Sequence, residues 1–323
     1  MNIVLGIDTS CYTTSVAAVD LDHNLIGEYR RLLKVPEGER GLQQSRAVFQ
    51  HVQNLADVFT QVEPLLKGKR IVAVAASTRP RPVPGSYMPV FTVSENLGKA
   101  LAATLGVPFW ATSHQEGHLL AGLWSGGLSW PSAFLAVHLS GGTSELLRVL
   151  SHPDQARLEI LLLGGTRDLH AGQFIDRVGV AMGLPFPAGP YLEELARNAV
   201  GEEVYIPSRV AGYHFHFSGS EACAQRLIQQ GVAKEKIARA VENCIAKTIE
   251  RVLRLAIEET GIKDVLLVGG VAANNYLRER LRFRLGHPAV GAKLIFAQPS
   301  LSTDNAVGVA LSGAMAFKQG LTV

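Results

Sequence analysis

The same order of segments occurs twice in this chain, and that duplication narrows the folds open to it more than any other feature. Residues 3–7 form a short apolar run, broken by Asp8-Thr9-Ser10 and resumed over 15–19, which reads as a β-hairpin around a polar turn. Residues 134–139, the turn Ser140-Gly141-Gly142-Thr143-Ser144 and the run 145–150 repeat it. Between the two units the periodicity predicts a helix over 42–66, a buried strand over 71–76, a helix over 92–105 and a strand over 109–112. After the second unit come helices over 171–182 and 234–259, a strand over 265–268, a helix from Asn274, a strand over 294–297 and a last helix from Asp304. Residues 204–218, with alternating His214 and His216, read as an excursion from this core. Such alternation specifies an α/β chain.

At 323 residues with 47% hydrophobic side chains, two domains are expected. The Gly/Ser/Pro-rich stretch 122–132 marks the boundary, giving lobes 1–122 and 123–323, with the last helix able to pack back on the first lobe. No stretch approaches the roughly 20 apolar residues of a membrane span, and the N-terminal segment lacks the charged head of a secretion signal. A cytoplasmic protein without membrane attachment is the expectation. Cys11, Cys223 and Cys244 are odd in number and scattered, indicating neither a disulfide framework nor a Cys-x-x-Cys metal site. The net charge of +3 permits contact with a polyanion, but no basic run demands it.

Ser113-His114-Gln115-Glu116-Gly117-His118 follows a buried strand and opens an apolar helical stretch, with Ser113 a natural N-cap. Histidines four apart on a helix share one face, so His114 and His118 can hold one ion. Surface or capping histidines also occur at this spacing, and spacing alone leaves both readings open. Glu116 lies roughly 200° around the helix from His114, which removes the general base of a metalloprotease helix. Two imidazoles need another ligand; Asp304 is one candidate, although an acid at a helix start is also an ordinary cap.

Three small-residue turns could hold phosphates or a carbonyl through backbone N–H groups: Asp8-Thr9-Ser10, Leu139-Ser140-Gly141-Gly142-Thr143, and residues 268–274 ending at Asn274. Each alone is equally a tight turn, and Asn274 equally an N-cap. Asp176 could meet ligand hydroxyls or simply pair with Arg177, and Asp168 reads as a cap.

Taken jointly and in order, several segments resemble the universal family of tRNA threonylcarbamoyladenosine transferases, called TsaD in bacteria and long labelled O-sialoglycoprotein endopeptidases. They are Gly6-Ile7-Asp8-Thr9-Ser10-Cys11, His114-Gln115-Glu116-Gly117-His118, Ser140-Gly141-Gly142-Thr143, Phe174-Ile175-Asp176, Pro187-Ala188-Gly189-Pro190, Phe217-Ser218-Gly219, Gly269-Gly270-Val271-Ala272-Ala273-Asn274 and Thr303-Asp304-Asn305-Ala306. The resemblance implies a duplicated actin/Hsp70-like, ribonuclease H-like two-lobe α/β fold with a nucleotide cleft between lobes. It implies transfer of threonylcarbamoyl from threonylcarbamoyl-adenylate to N6 of adenosine 37 in tRNA. His114, His118 and Asp304 would then hold one Fe2+ or Zn2+, acting as Lewis acid or template. Leu139, Ser140, Gly141, Gly142, Thr143, Asp176, Gly189 and Asn274 would line the pocket for the adenylate, an ATP or AMP moiety. A smaller paralogous partner protein and an ATPase are the implied partners beside tRNA.

The departures point to a divergent paralogue. The family's Ser-Cys-Asp-Glu-Thr is Ser10-Cys11-Tyr12-Thr13-Thr14 here, without the two acids. Its Gly-Pro-Gly-Leu turn is replaced by residues 78–89, which carry four prolines and the cations Arg79 and Arg81. Phe-Ser-Gly-Leu-Lys-Thr becomes Phe217-Ser218-Gly219-Ser220-Glu221-Ala222, and Ala-Gly-Glu becomes Ala171-Gly172-Gln173. Two alternatives therefore stand beside the tRNA transferase: a carbamoyltransferase using carbamoyl-adenylate on another acceptor, and a non-catalytic nucleotide-binding scaffold.

Overall fold

The computed structural model describes residues 1–10, 12–35, 42–127 and 130–321. Cys11 of the first turn and residues 128–129 of the candidate boundary lie outside them. The chain forms two compact units, one of Met1–Ser132, Leu150–Glu159 and Thr303–Val323, the other of Ala133–Val149 and Ile160–Ser302.

In chain order the first unit holds β1 (Asn2–Thr9), β2 (Thr13–Asp20), β3 (Leu25–Leu32), α1 (Gln44–Leu66), β4 (Arg70–Arg79), α2 (Phe91–Leu105), β5 (Phe109–Ser113) and α3 (His114–Ser125). The rest of the chain adds β6 (Ala133–Leu139), β7 (Ser144–His152), β8 (Arg157–Gly165), α4 (Ala171–Ala181), α5 (Gly189–Arg197), β9 (Arg209–Ala211) and β10 (His214–His216). It continues through α6 (Ser218–Gln229), α7 (Lys234–Thr260), β11 (Asp264–Val268), α8 (Asn275–Leu285) and β12 (Lys293–Phe296) to α9 (Val307–Lys318).

The duplication is visible in the sheets. The first runs β3-β2-β1-β4-β5, and the second runs β8-β7-β6-β11-β12, the same order with each strand replaced by its counterpart. In the first, β1 pairs antiparallel with β2, down to Thr9 opposite Thr14, and parallel with β4. In the second, β6 and β11 are parallel, as are β11 and β12. Both β1 and β2 are buried along nearly their whole length, which requires cover on both faces of the sheet. The period of two supplies it: Ile3, Leu5 and Ile7 pack with Val58 and Val62 of α1 and Ala102 of α2, whereas Gly6 faces α9. A Cβ at Gly6 would lie 2.5 Å from the backbone nitrogen of Ala310, so α9 can sit this close only over a glycine. The core of the second unit gathers Leu135, Val137 and Leu139 of β6, Phe174 of α4, Ile245 of α7 and Val265 and Leu267 of β11.

Two local readings change. The last helix begins at Val307, three residues after Asp304: Ala306 is its N-cap, and the Asn305 side chain in the turn before it accepts the Val307 N–H at 3.0 Å. Residues 204–218 contain the small β9–β10 hairpin, antiparallel from His214 opposite Ala211. Among the described residues, no helix is long and apolar enough to cross a membrane.

Candidate functional site

The first unit gathers its titratable groups at one end of β1, β5 and α3. Ser113 ends β5 and caps α3: its hydroxyl accepts the Glu116 N–H at 3.2 Å while the Glu116 carboxylate accepts the Ser113 N–H at 2.9 Å, a capping box. Glu116 also accepts from Thr112 Oγ1 at 3.2 Å, so this buried carboxylate serves the helix start and not the imidazoles. His114 and His118 then project from successive turns with their Nε2 atoms 3.1 Å apart. Asp304 Oδ1 lies 3.1 Å from His118 Nε2 and 3.6 Å from His114 Nε2. One donor atom from each of the three lies within 4.8 Å of the other two.

What brings Asp304 to residues so far away in sequence is a contact between two glycines. A Cβ on Gly308 of α9 would fall 1.8 Å from the carbonyl oxygen of Gly117, the residue between Glu116 and His118 on α3. No side chain fits there, so α3 and α9 meet backbone to backbone and the turn ahead of α9 is delivered to the histidines.

A second layer orients this trio. The buried Asp8 closes β1 with Oδ1 3.0 Å from His114 Nδ1, which places the proton on Nδ1 and leaves the Nε2 lone pair facing His118 and Asp304. Ser10 Oγ donates to Asp304 Oδ2 at 2.7 Å and leaves Oδ1 for the imidazoles. The Ser10 carbonyl in turn accepts from Nε2 of the fully buried His51 at 2.7 Å, whose Nδ1 lies 2.8 Å from Thr14 Oγ1. Burial holds the His51 pKa below its ordinary value, consistent with a neutral ring that donates at one nitrogen and accepts at the other. Burial opposes the charged form of His114 as well, but the charges of Asp8 and Asp304 outweigh it and raise its pKa well above the usual histidine value, so a metal taking the Nε2 lone pair would displace a proton from that atom. Asp304 moves the other way: burial would raise it, and the hydrogen bonds and charges of the two histidines hold it well below the carboxylate range. Two convergent imidazole nitrogens and one ionised oxygen, each held by its own partner, are a donor set that suits iron or zinc.

The second unit offers backbone instead. In the turn after Leu139, Ser140 N–H donates to Thr143 O at 2.7 Å, and Ser140 Oγ accepts from the N–H groups of Gly142 and Thr143 at 3.3 and 3.0 Å. Gly141 and Gly142 are exposed. The start of α4 seats against this turn, where Gly172 N–H donates to Ser140 O at 3.1 Å and a Cβ on Gly172 would lie 2.7 Å from Gly141 N. Gly269, at φ +95°, passes so close that a Cβ would stand 2.3 Å from Leu139 O. The turn 139–143, the first turn of α4 and the loop after β11 are thus brought together.

The remaining candidates divide. Asp176 Oδ1 accepts the Ala188 N–H at 2.8 Å, one residue before Gly189 opens α5, and burial raises its pKa. This ties Asp176 to the Gly189 segment and not to Arg177. Asn274 spends both ends of its amide internally: Oδ1 caps α8 at Leu277 N–H (2.8 Å), and Nδ2 donates to Glu242 Oε1 (2.6 Å). Asp168 accepts from the backbone N–H groups of Phe217 at 3.0 Å and Ser218 at 3.2 Å, and so anchors the start of α6 as well as its own turn. The sequence offered no spacing signal for Asp8 or Ser10 as side-chain partners, because their turn read as a backbone feature; His51 and Gly308 gave none at all.

Comparison with known proteins follows the same lines. The model of the family described as TsaD, tRNA N6-adenosine threonylcarbamoyltransferase, matches residues 45–311. A tRNA N6-adenosine threonylcarbamoyltransferase of Thermus thermophilus is 33% identical over 98% of this chain and 94% of its own length, and one of Sulfurihydrogenibium is 31% identical over 99% and 93%. Among solved structures, component A of the (R)-2-hydroxyglutaryl-CoA dehydratase of Acidaminococcus fermentans superposes with a TM-score of 0.56 at 15% identity, covering 99% of this chain and 100% of that one. A ROK-family glucokinase of Streptomyces griseus gives 0.53 at 12% identity over 96% and 99%. Full-length HypF gives 0.60 at 14% identity, over 98% of this chain and 46% of HypF. These three likenesses establish the actin/Hsp70/ROK-like α/β fold.

Proposed function

This chain belongs to the tRNA N6-adenosine threonylcarbamoyltransferase family, and from that premise we propose that it transfers threonylcarbamoyl from threonylcarbamoyl-adenylate to N6 of adenosine 37 in tRNA, using one Fe2+ or Zn2+ held by His114, His118 and Asp304. The observation that carries the metal reading is the convergence of the two Nε2 atoms on Asp304 Oδ1, with Asp8 fixing the His114 tautomer behind them. Bound there, the metal would act as a Lewis acid on the carbamoyl carbonyl and as a template for it.

The chain's own groups do the rest. Asp8 holds the His114 proton on Nδ1, and Ser10 keeps one Asp304 oxygen turned to the imidazoles. In the second unit the amides of 139–143, with Gly189, are the candidate contacts for the adenylate. Asp176 would approach the ligand hydroxyls through Oδ2, since Oδ1 is engaged by Ala188. Asn274 contributes by fixing the start of α8. A smaller paralogous protein and an ATPase complete the assembly by family resemblance, and the reaction is cytoplasmic.

One observation favours a second acceptor. Pro80 O accepts the Gln115 N–H at 3.0 Å, tying the Arg79-Pro80-Arg81 loop to the first turn of the metal-bearing helix, and Arg79 Nε is buried with no hydrogen-bond partner among the described residues. A cationic loop in that place suits an acidic acceptor receiving carbamoyl from carbamoyl-adenylate.

The test begins with metal content after anaerobic purification. Wild type should carry about one iron or zinc per chain and His114→Ala/His118→Ala none. Transfer from threonylcarbamoyl-adenylate to unmodified tRNA should require the loaded protein. No metal in either protein favours a nucleotide-binding scaffold; metal without tRNA modification favours the second acceptor.

A further inference from the structure

Helix α8 carries Arg278, Arg280, Arg282 and Arg284 in eleven residues, and it leaves Phe283 77% exposed. Leu277, Leu281 and Leu285 form its buried stripe, which turns Phe283 roughly opposite the core. A phenylalanine standing in water between two arginines gains nothing for the fold.

The arginines are not loose. Glu250 of α7, with its side chain only 7% exposed, is shared by three guanidiniums: Arg284 Nε at 2.9 Å, Arg254 Nε at 3.3 Å and Arg280 Nη2 at 3.7 Å. One carboxylate meets three cations here, and the side chains of Arg254, Arg280 and Arg284 keep 43, 30 and 49% of their surface in solvent. Arg282 rests over the Phe296 ring at 4.7 Å, and its charge offsets the exposed Glu279. Arg280 is turned inward, with Nη1 on Asn243 and Nη2 toward Glu250, whereas Arg254 and Arg284 are held through Nε and keep much of their side chains in solvent, so the ordering cost of binding an anion there is already met by the fold.

We infer that this face of α7 and α8 binds RNA, with Arg254 and Arg284 on the phosphodiester backbone and Phe283 stacked on an unpaired base. The combination selects RNA over an acidic protein surface, because fixed guanidiniums suit phosphate and a bare aromatic ring between them suits the face of a base. The inference rests on the tRNA acceptor proposed above and names a surface by which that acceptor is held. Asn274 caps the start of α8, so Arg284 lies about 15 Å along one rigid element from the loop that follows β11.

The experiment is the binding of a fluorescein-labelled, unmodified tRNA transcript to the whole 323-residue chain across a series of salt concentrations. Arg254→Gln/Arg284→Gln should weaken binding about tenfold and reduce the log–log salt slope by about 1.4 to 1.8, since each phosphate contact contributes roughly 0.7 to 0.9. Phe283→Ala should weaken binding about fivefold with the slope unchanged, and Phe283→Trp should restore it. Lys67→Gln/Arg70→Gln removes two exposed cations of the first unit and should leave affinity within twofold. All four are surface changes, and unchanged circular dichroism and metal content verify the fold. If wild type binds tRNA and the α7–α8 variants bind equally well, the inference falls and the acceptor stands. If they instead lose affinity only for polyglutamate, the face serves an acidic protein and the inference falls. If wild type does not bind tRNA, the acceptor reading falls and takes this surface with it.

Discussion

The two hairpin turns of the duplicated sheets have the same place in the topology and opposite designs. Between β1 and β2, Asp8, Thr9 and Ser10 are buried, and each commits its side chain to another element: Asp8 to His114, Thr9 to Val90 O and Ser94 Oγ, Ser10 to Asp304. Between β6 and β7, the Ser140 side chain accepts only from its own turn, and Gly141 and Gly142 are exposed to solvent. One copy became a platform that aims a carboxylate and an imidazole; the other turns the Gly142 and Thr143 amides onto its own serine and leaves the Gly141 amide facing outward. A site built from side chains depends on which elements are packed together, whereas one built from amides depends on how little lies beside them.

The contrast breaks most completely at Gly308. Gly308→Ala must push α3 and α9 apart, because its Cβ would overlap the Gly117 carbonyl at 1.8 Å. Overpacking of this kind typically costs about 1–3 kcal/mol, and the displacement of Asp304 should abolish stoichiometric metal retention. Nucleotide affinity should survive, since the candidate amides belong to the other unit. A variant that is stably folded and still retains metal would show that the glycine contact does not set the site.

Next in size is the pair Ser10→Ala and Ser140→Ala. Removing Ser10 Oγ frees Asp304 to rotate, and metal affinity should fall on the order of 10- to 100-fold in competition against a chelator. The counterpart Ser140→Ala loses only bonds within its own turn and should change nucleotide affinity by less than about threefold. Equal losses at the two serines would erase the distinction between the turns.

The second turn has its own weak point. A Cβ on Gly172 would meet Gly141 N at 2.7 Å, so Gly172→Ala should displace the Gly141 amide and weaken binding of an AMP analogue roughly tenfold, with metal content unchanged. Gly141→Ala, by contrast, has empty space at its Cβ and should do far less. Calorimetry on both variants separates lost geometry from lost glycine.

The same asymmetry explains what sequence could reveal. The duplicated strand–turn–strand order, the α/β class and the Ser113 cap were legible because each is a local pattern: an apolar run with a polar break, or a capping residue three before a glutamate. The His114 and His118 pair was legible as spacing, although spacing did not decide its role. Asp304 could be named as a candidate, but it read as a helix start, whereas α9 begins only after Ala306 and leaves Asp304 in the preceding turn. Asp8, Ser10 and His51 were not legible as partners, since their contacts span 37 to 294 residues and exist only once β1, α1 and the turn ahead of α9 are packed. Edge strands such as β3 and β8 also escaped, because their mixed exposure interrupts the apolar run that betrays a central strand.

The smallest expected effect concerns two carboxyls, one in each unit. Asp304 is held ionised by two histidines; Glu242 of α7, its side chain 3% exposed, is pushed up to about 7 by burial, against the opposing pull of its hydrogen bond from Asn274 and the charge of Arg239. A folded pKa above the unfolded value of 4.5 means that the folded state holds the proton longer. The stabilisation from Glu242 is therefore complete below 4.5 and is lost as pH rises through about 7. Between pH 6 and pH 8 that loss is about 1 kcal/mol. Glu242→Gln, which cannot ionise, should flatten this part of the stability profile measured by urea midpoint, while Asp304→Asn should leave it as it is in wild type. A wild-type profile without this decline, or a decline that persists in Glu242→Gln, would place the ionisation elsewhere and leave the second unit with only its backbone to distinguish it.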